Sequence, residues 1–179
     1  YIQSKRLGSL LNDISILNRL DDGSKLMEFE QINVSQTIRQ IVRETALEMK
    51  EKNMKFIDNI PEDIIISGAQ SMVYSIFRNL TDNAIAYAGE GTTITLDARK
   101  TGEDRWLFTF SDNGVGVDSK HLPRLFERFY RVDKGRSRKL GGTGLGLAIV
   151  KNAVLLHGGT IKAENARNGG LKFEFSLAK

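Results

Sequence analysis

The tightest constraint in this sequence is a glycine string: Gly141, Gly142, Gly144 and Gly146 fall within six residues, and a helical run continues from them to about Leu156. Glycines ahead of a helix leave backbone N–H groups uncovered at the positive end of the helix dipole, which is a phosphate-binding arrangement. The string Gly142-Thr143-Gly144-Leu145-Gly146 has neither the spacing of a dinucleotide-binding fingerprint nor the Lys-Ser/Thr of a Walker loop. A flexible hinge is the plainer alternative. Four glycines in six residues at a helix start favour phosphate.

The remaining pattern restricts the fold around that helix. Leu7, Leu10, Ile14 and Leu17 alternate at spacings of three and four, the seam of a coiled-coil-like helix over residues 1–20, and Leu11, Ile16 and Leu20 widen it. Asp21-Asp22-Gly23-Ser24 breaks the helix, and residues 26–34 read as extended. Ser35 is the expected N-cap of a helix through about Lys52, with Ile38, Ile41, Val42, Ala46 and Met49 inward. Short strands are expected at 55–59 and 64–67 around Pro61, then a helix over 70–88 burying Val73, Ile76, Phe77, Leu80 and Ala84. Strands at 92–99 and 105–111, and later at 160–164 and 171–177, complete the pattern. Hairpin-linked strands interleaved with helices imply an α+β two-layer sandwich, a mixed and mostly antiparallel sheet covered by three helices. The first helix is expected to stand outside that domain. Alternating βαβ units are not evident.

Composition closes off several classes. With 40% hydrophobic residues the 179-residue chain can build a core, and it has no apolar run long enough to span a bilayer. There are no cysteines, and the two histidines have no metal-ligand spacing, so disulfide, thiolate and zinc chemistry are not expected. The net charge of +4 comes from bases interspersed with acids, apart from the run Lys134–Lys139, so nucleic acid is not an expected partner. No signal peptide is visible, the missing initiator Met suggests a piece of something longer, and the absence of cysteine fits a reducing cytoplasm.

Two further clusters carry chemistry. Asn79 and Asn83 are four apart on one helix face, beside the apolar stripe, with Asp82 between them and Tyr87 one turn on. An Asn buried without partners costs about 1–3 kcal/mol, so the pair needs either a structural hydrogen-bond network or a ligand. Carboxamide oxygens suit a hard cation such as magnesium. Asp112-Asn113-Gly114-Val115-Gly116 ends a strand. It is either ordinary turn chemistry or a carboxylate that accepts from an exocyclic amine, with glycines giving close backbone approach.

In order, these elements resemble the motifs of sensor histidine kinases. Asn79-Leu-Thr-Asp-Asn83-Ala-Ile-Ala-Tyr87 is similar to the N box and Asp112-Asn-Gly-Val-Gly116 to the first glycine box. Leu125-Phe-Glu-Arg-Phe-Tyr-Arg131 resembles the F box, and Gly142-Thr-Gly-Leu-Gly-Leu147 the second glycine box. The resemblance covers residues 35–177 and implies the Bergerat-type ATP-binding sandwich. It divides the chain into the second helix of a dimerisation hairpin (1–22), a linker (23–34) and an ATP-binding catalytic domain (35–179).

The resemblance also implies roles. Asp112 would bind the adenine amino group, Asn83 would ligate magnesium, and Asn79 would support the metal or the phosphates. Gly142, Gly144 and Gly146 would shape a lid and contact phosphates. Arg131, with Arg128, would steady phosphate charge or meet the acceptor helix. The catalytic set is then Asn79, Asn83 and Arg131. Tyr87, Gly114, Gly116, Val117, Tyr130, Lys139, Thr143, Leu145 and Leu147 join the nucleotide site, and Phe126 and Phe129 would pack the lid. ATP-hydrolysing relatives place a Glu where this chain has Asn79, which cannot serve as a general base near neutral pH, so transfer is favoured over hydrolysis.

Ala86 stands where the family often has Lys or Arg, and Leu171 where Thr or Ser is common. Neither His121 nor His157 lies on the hairpin, so neither is assigned the phosphoryl group. The implied partners are a phosphoacceptor histidine helix of the same or a partner protomer, a response-regulator receiver domain, and a second copy forming a homodimer. The implied setting is the cytoplasmic portion of an inner-membrane sensor. An ATP-hydrolysing domain and a degenerate nucleotide-binding regulatory module remain the alternatives.

Overall fold

The computed structural model describes residues 2–22, 28–103, 105–132, 143–167 and 169–178. Its helices are α1 (Ile2–Asp21), α2 (Val34–Glu51), α3 (Gln70–Tyr87) and α4 (Gly146–Leu156), with a 3-10 helix at Ser119–Arg124. Its strands are β1 (Glu30–Asn33), β2 (Lys55–Asn59), β3 (Ile65–Gly68), β4 (Thr93–Lys100), β5 (Arg105–Asp112), β6 (Ile161–Asn165) and β7 (Leu171–Ala178). Five strands form one sheet in the order β2-β4-β5-β7-β6. The β2–β4 pair is parallel and the other pairs are antiparallel, as the mixed-sheet expectation required.

Period-two alternation along β5 and β7 puts Phe108, Phe110, Phe173 and Phe175 on the face under the helices. Phe77 of α3 descends onto that face, its ring centroid 5.3 Å from Phe108 and 5.5 Å from Phe175. All three rings are buried, and each such burial contributes about 1.5–3 kcal/mol. The other sheet face carries polar pairs: Lys162 bonds Glu174 at 3.1 Å and Lys172 bonds Glu164 at 2.8 Å, directly across β6 and β7.

Several expectations needed correction. Asn33 caps α2, its Oδ1 accepting from Gln36 N at 3.1 Å, whereas Ser35 is the second residue of the helix and is buried. The Ser35 hydroxyl instead donates to Pro61 O and accepts from Ile64 N, clamping the loop before β3. Ala46 is exposed on α2 and Thr45 is buried in its stead, its hydroxyl satisfied by Ile41 O. Both strands expected around Pro61 are present, and they belong to different sheets: β2 is in the five-stranded sheet, and β3 joins β1 in a separate two-stranded sheet.

The first helix does not stand apart. Leu17 (2% exposed) and Leu20 (8%) are buried where α1 packs on α4, while Leu7 (57%) and Leu11 (58%) face outward. Two polar contacts reinforce the packing. Thr143 donates to Asp13 at 2.6 Å, and Arg128 bonds both carboxylate oxygens of Asp21 at 3.0 and 3.1 Å. No described helix is long and apolar enough to cross a membrane.

Candidate active site

A cleft of about 410 Å³ opens between α3, the end of β5 and the start of α4. The helical period brings Asn79, Asp82, Asn83, Ala86 and Tyr87 to its α3 wall. Asn79 donates its amide to Ser75 O at 2.8 Å, which turns its oxygen toward α4. A Cβ on Gly146 would lie 3.0 Å from that oxygen, so glycine permits the close approach of the two helices. Asp82 is paired with Arg78 at 3.0 Å, and Arg78 reaches across to Glu44 of α2. Asn83 is half-buried in the cleft.

Asp112 adds a carboxylate to the cleft from the core face of the sheet. Alternation from Phe108 and Phe110 carries it under the helices, where its side chain is nearly buried. One oxygen, Oδ1, accepts from Gly114 N at 2.8 Å and from Leu171 N at 3.3 Å. Burial raises its pKa above the ordinary carboxylate value, and these two N–H bonds oppose the rise. With Oδ1 held, Oδ2 is the acceptor available to a ligand in the cleft. Asn113 is structural, its Oδ1 taking Thr93 N at 2.7 Å to extend the β4–β5 ladder.

The opposite wall comes from two segments. Tyr130 and Arg131 of the F-box-like stretch line the cleft together with Thr143, Gly144, Gly146 and Leu147. Helix α4 starts with no side-chain cap at Leu145, so its first N–H groups remain open to an anion. Gly144, at φ +79°, lies against the Phe129 backbone, and Phe129 N donates to Gly144 O at 2.8 Å. Gly116 and Val117 close the cleft near β6. There Asn165 bonds both polar backbone atoms of Val117, a brace that no local sequence signal marks.

Not every expected residue lines the cleft. Gly114 is packed on Ala88, whose carbonyl oxygen would be 2.2 Å from a Cβ there, so close contact with protein rather than ligand requires the glycine. Gly116, at φ +64°, does line the cleft, and it is also pressed on Gly169 O. Leu145 is buried in the core. Phe126 stacks edge-on with Phe173, but Phe129 is 58% exposed at φ +64° and packs no core. Lys139 and Gly142 lie outside the described residues, as does the basic run 134–139.

A carboxylate with one free oxygen, an uncapped helix start and an arginine share one cleft, and the comparisons agree with that geometry. Residues 68–179 match the family model described as histidine kinase-, DNA gyrase B-, and HSP90-like ATPase. The chain belongs to this ATPase family. The sensor histidine kinase WalK of Bacillus subtilis is 34% identical over 98% of this chain and 29% of its own length. The phosphate regulon sensor protein PhoR of Haemophilus influenzae is 36% identical over 99% of this chain and 41% of its own. The solved full-length ShkA superimposes with a TM-score of 0.79 at 25% identity, covering 96% of this chain and 35% of that one. The chain thus spans less than half the length of these relatives, and it is a histidine-kinase-type catalytic domain of the ATPase family.

The two departures from the family pattern now have positions. Ala86 leaves that part of the α3 wall without a cation, and Arg131 is the arginine lining the cleft among the described residues. Leu171 uses its backbone N–H to hold Asp112 and adds its side chain to the apolar lining. The kinase-type domain also explains its histidines differently. His157 is buried, with Nε2 accepting from Ala69 N at 3.1 Å and Nδ1 donating to Ala153 O at 2.6 Å. Burial lowers its pKa, keeping the ring neutral in this doubly bonded tautomer. It is a structural core histidine.

Proposed function

We propose that this cleft binds ATP with magnesium. The chain then transfers the γ-phosphoryl group to a histidine on a dimerisation helix, from which it passes to an aspartate of a response-regulator receiver domain. The observation that carries the proposal is Asp112: a nearly buried carboxylate with one oxygen fixed by two backbone N–H groups and the other left for an amine donor. The open start of α4 and Arg131 give the same cleft a place for phosphates. ShkA was solved in complex with AMPPNP, which supports an ATP-type ligand.

The donor set fits magnesium. Asn83 offers a neutral oxygen, and a cation that keeps several waters and phosphate oxygens needs few protein ligands. Bound there, the ion supplies positive charge beside the phosphates. Asn79 cannot take a proton from water, and Asp82 is committed to Arg78, so the site favours positioning over hydrolysis. In the transfer, the bond from the γ-phosphorus to the β–γ bridging oxygen breaks and its electron pair leaves with ADP. The acceptor imidazole nitrogen supplies the pair for the new N–P bond. His157 has both nitrogens engaged, so the acceptor belongs to another segment, and a homodimeric membrane sensor is the assembly we propose around it.

Calorimetry with Mg-ATP tests the binding step, and steady-state ATP turnover tests the rival chemistry. We expect saturable binding that Asn83→Ala weakens, with negligible turnover. No detectable heat at millimolar nucleotide would favour a degenerate regulatory module, and robust turnover abolished by Asn83→Ala would favour a hydrolysing enzyme.

A further inference from the structure

We propose that His121 is a positioning residue of the nucleotide site, fixing the Tyr130 ring as one wall of the cleft and, through it, the adjoining Arg131. The inference rests on the reading of the cleft as a nucleotide site. Asp118 starts the 3-10 helix by accepting from Lys120 N at 3.1 Å. With three residues per turn, His121 and Arg124 then lie one above the other on the same side. Both meet Tyr130. The His121 Nδ1 is hydrogen-bonded to the Tyr130 hydroxyl, and the Arg124 guanidinium lies 4.4 Å from the Tyr130 ring centroid.

The post is braced along its length. Glu127 takes two bonds from Arg124, at 3.0 and 3.2 Å, which aim the guanidinium. The Glu127 carbonyl accepts Tyr130 N at 3.2 Å, and Phe129 N ties the preceding residue back to Gly144. Arg124 and Glu127 are exposed, so their pair is worth little by itself. His121 and Tyr130 are half-buried, and among the described residues theirs is the bond that fixes the ring at its hydroxyl end. Without it the ring regains rotamer freedom that nucleotide binding must then remove, and the segment that carries Arg131 loses one of its anchors. His121 therefore acts on the ligand through Tyr130 rather than by touching it.

The test is calorimetry of the full 179-residue chain with Mg-AMPPNP, with thermal melting run in parallel. His121→Ala should weaken binding roughly five- to tenfold, the scale of one lost hydrogen bond with its ordering, while the melting temperature changes little. His121→Asn, whose amide stands near the position of Nδ1, should restore most of the affinity. Tyr130→Phe keeps the ring and removes only the hydroxyl, and should lose the same factor. In that background His121→Ala should add nothing, the signature of one shared interaction. Full affinity in Tyr130→Phe, or a His121→Ala loss that persists undiminished beside it, overturns the proposal. Absence of binding by the unaltered chain would instead overturn the nucleotide reading on which it stands.

Discussion

The two walls of the cleft are built by different means. On the sheet side Asp112 is held by backbone: the β5–β7 ladder, two N–H donors, and glycines squeezed against neighbouring carbonyls. On the other side Tyr130 and Thr143 are held by side chains that bridge separate segments, from His121 and Arg124 to Asp13 of α1. Backbone pairing is shared over a whole strand and resists a single change, whereas a side-chain bridge can be lost one bond at a time. The sheet wall is therefore suited to recognising one fixed feature of a ligand. The side-chain wall is suited to adjustment, and it is the wall that α1 touches.

Predictions that break or sharpen this contrast run from severe to slight. A Cβ on Gly170 would lie 1.9 Å from Asp112 O, inside the backbone that fixes the sheet wall. Gly170→Ala should cost several kcal/mol, about 3 or more, and abolish nucleotide binding, as denaturant melts and calorimetry would report. Unchanged stability would show that the β5–β7 wall yields more readily than its geometry implies.

Asp112→Asn should separate recognition from architecture. The amide oxygen can still accept from Gly114 and Leu171, but Oδ2 becomes a donor facing the ligand amine. Affinity for Mg-ATP should fall about 10- to 100-fold, the range for a hydrogen bond to a charged group, with the melting temperature nearly constant. Because burial raises the Asp112 pKa, affinity in the unaltered chain should also decline as the pH falls through that raised value, since protonation removes the acceptor. A pH-independent affinity in the acid range would count against Asp112 as the acceptor.

His157 sharpens the comparison from outside the cleft. Its pKa is lowered by burial, so below about pH 6.5 the unfolded chain binds a proton that the folded chain refuses. Its contribution is complete above that value and is lost as the pH drops through the folded pKa. Melting temperatures followed from about pH 7.5 to about 5.5 should decline, and His157→Gln should flatten that profile while lowering stability throughout. The smallest effect belongs to Arg128→Ala. The Arg128–Asp21 pair is about half exposed, so its removal should cost under about 1 kcal/mol and leave nucleotide affinity unchanged. A large loss would mean that α1 governs the site more strongly than its contacts suggest.

Much of this was legible in the chain. The period of α3 placed Asn79, Asn83 and Tyr87 on one wall, and strand alternation placed Asp112 at the end of β5. The glycines before α4 marked an open helix start, although the structure shows Gly144 and Gly146 making room for Phe129 and Asn79. Capping preference is local and marks Ser35, but its hydroxyl is taken by Pro61 and Ile64 from a distant loop, and Asn33 is the cap. The half-exposed seam of α1 and the brace from Asn165 to Val117 depend on partners far along the chain.

The sequence by itself determined the elements, the two-layer fold and the chemical groups offered to a nucleotide, because periodicity and residue type act over a few residues. Only the tertiary structure decided the parallel β2–β4 pair, the packing of α1 on α4 and the tie between His121 and Tyr130. Those features arise from which distant surfaces meet. A backbone or side chain with several acceptable partners carries no local mark of the one it takes.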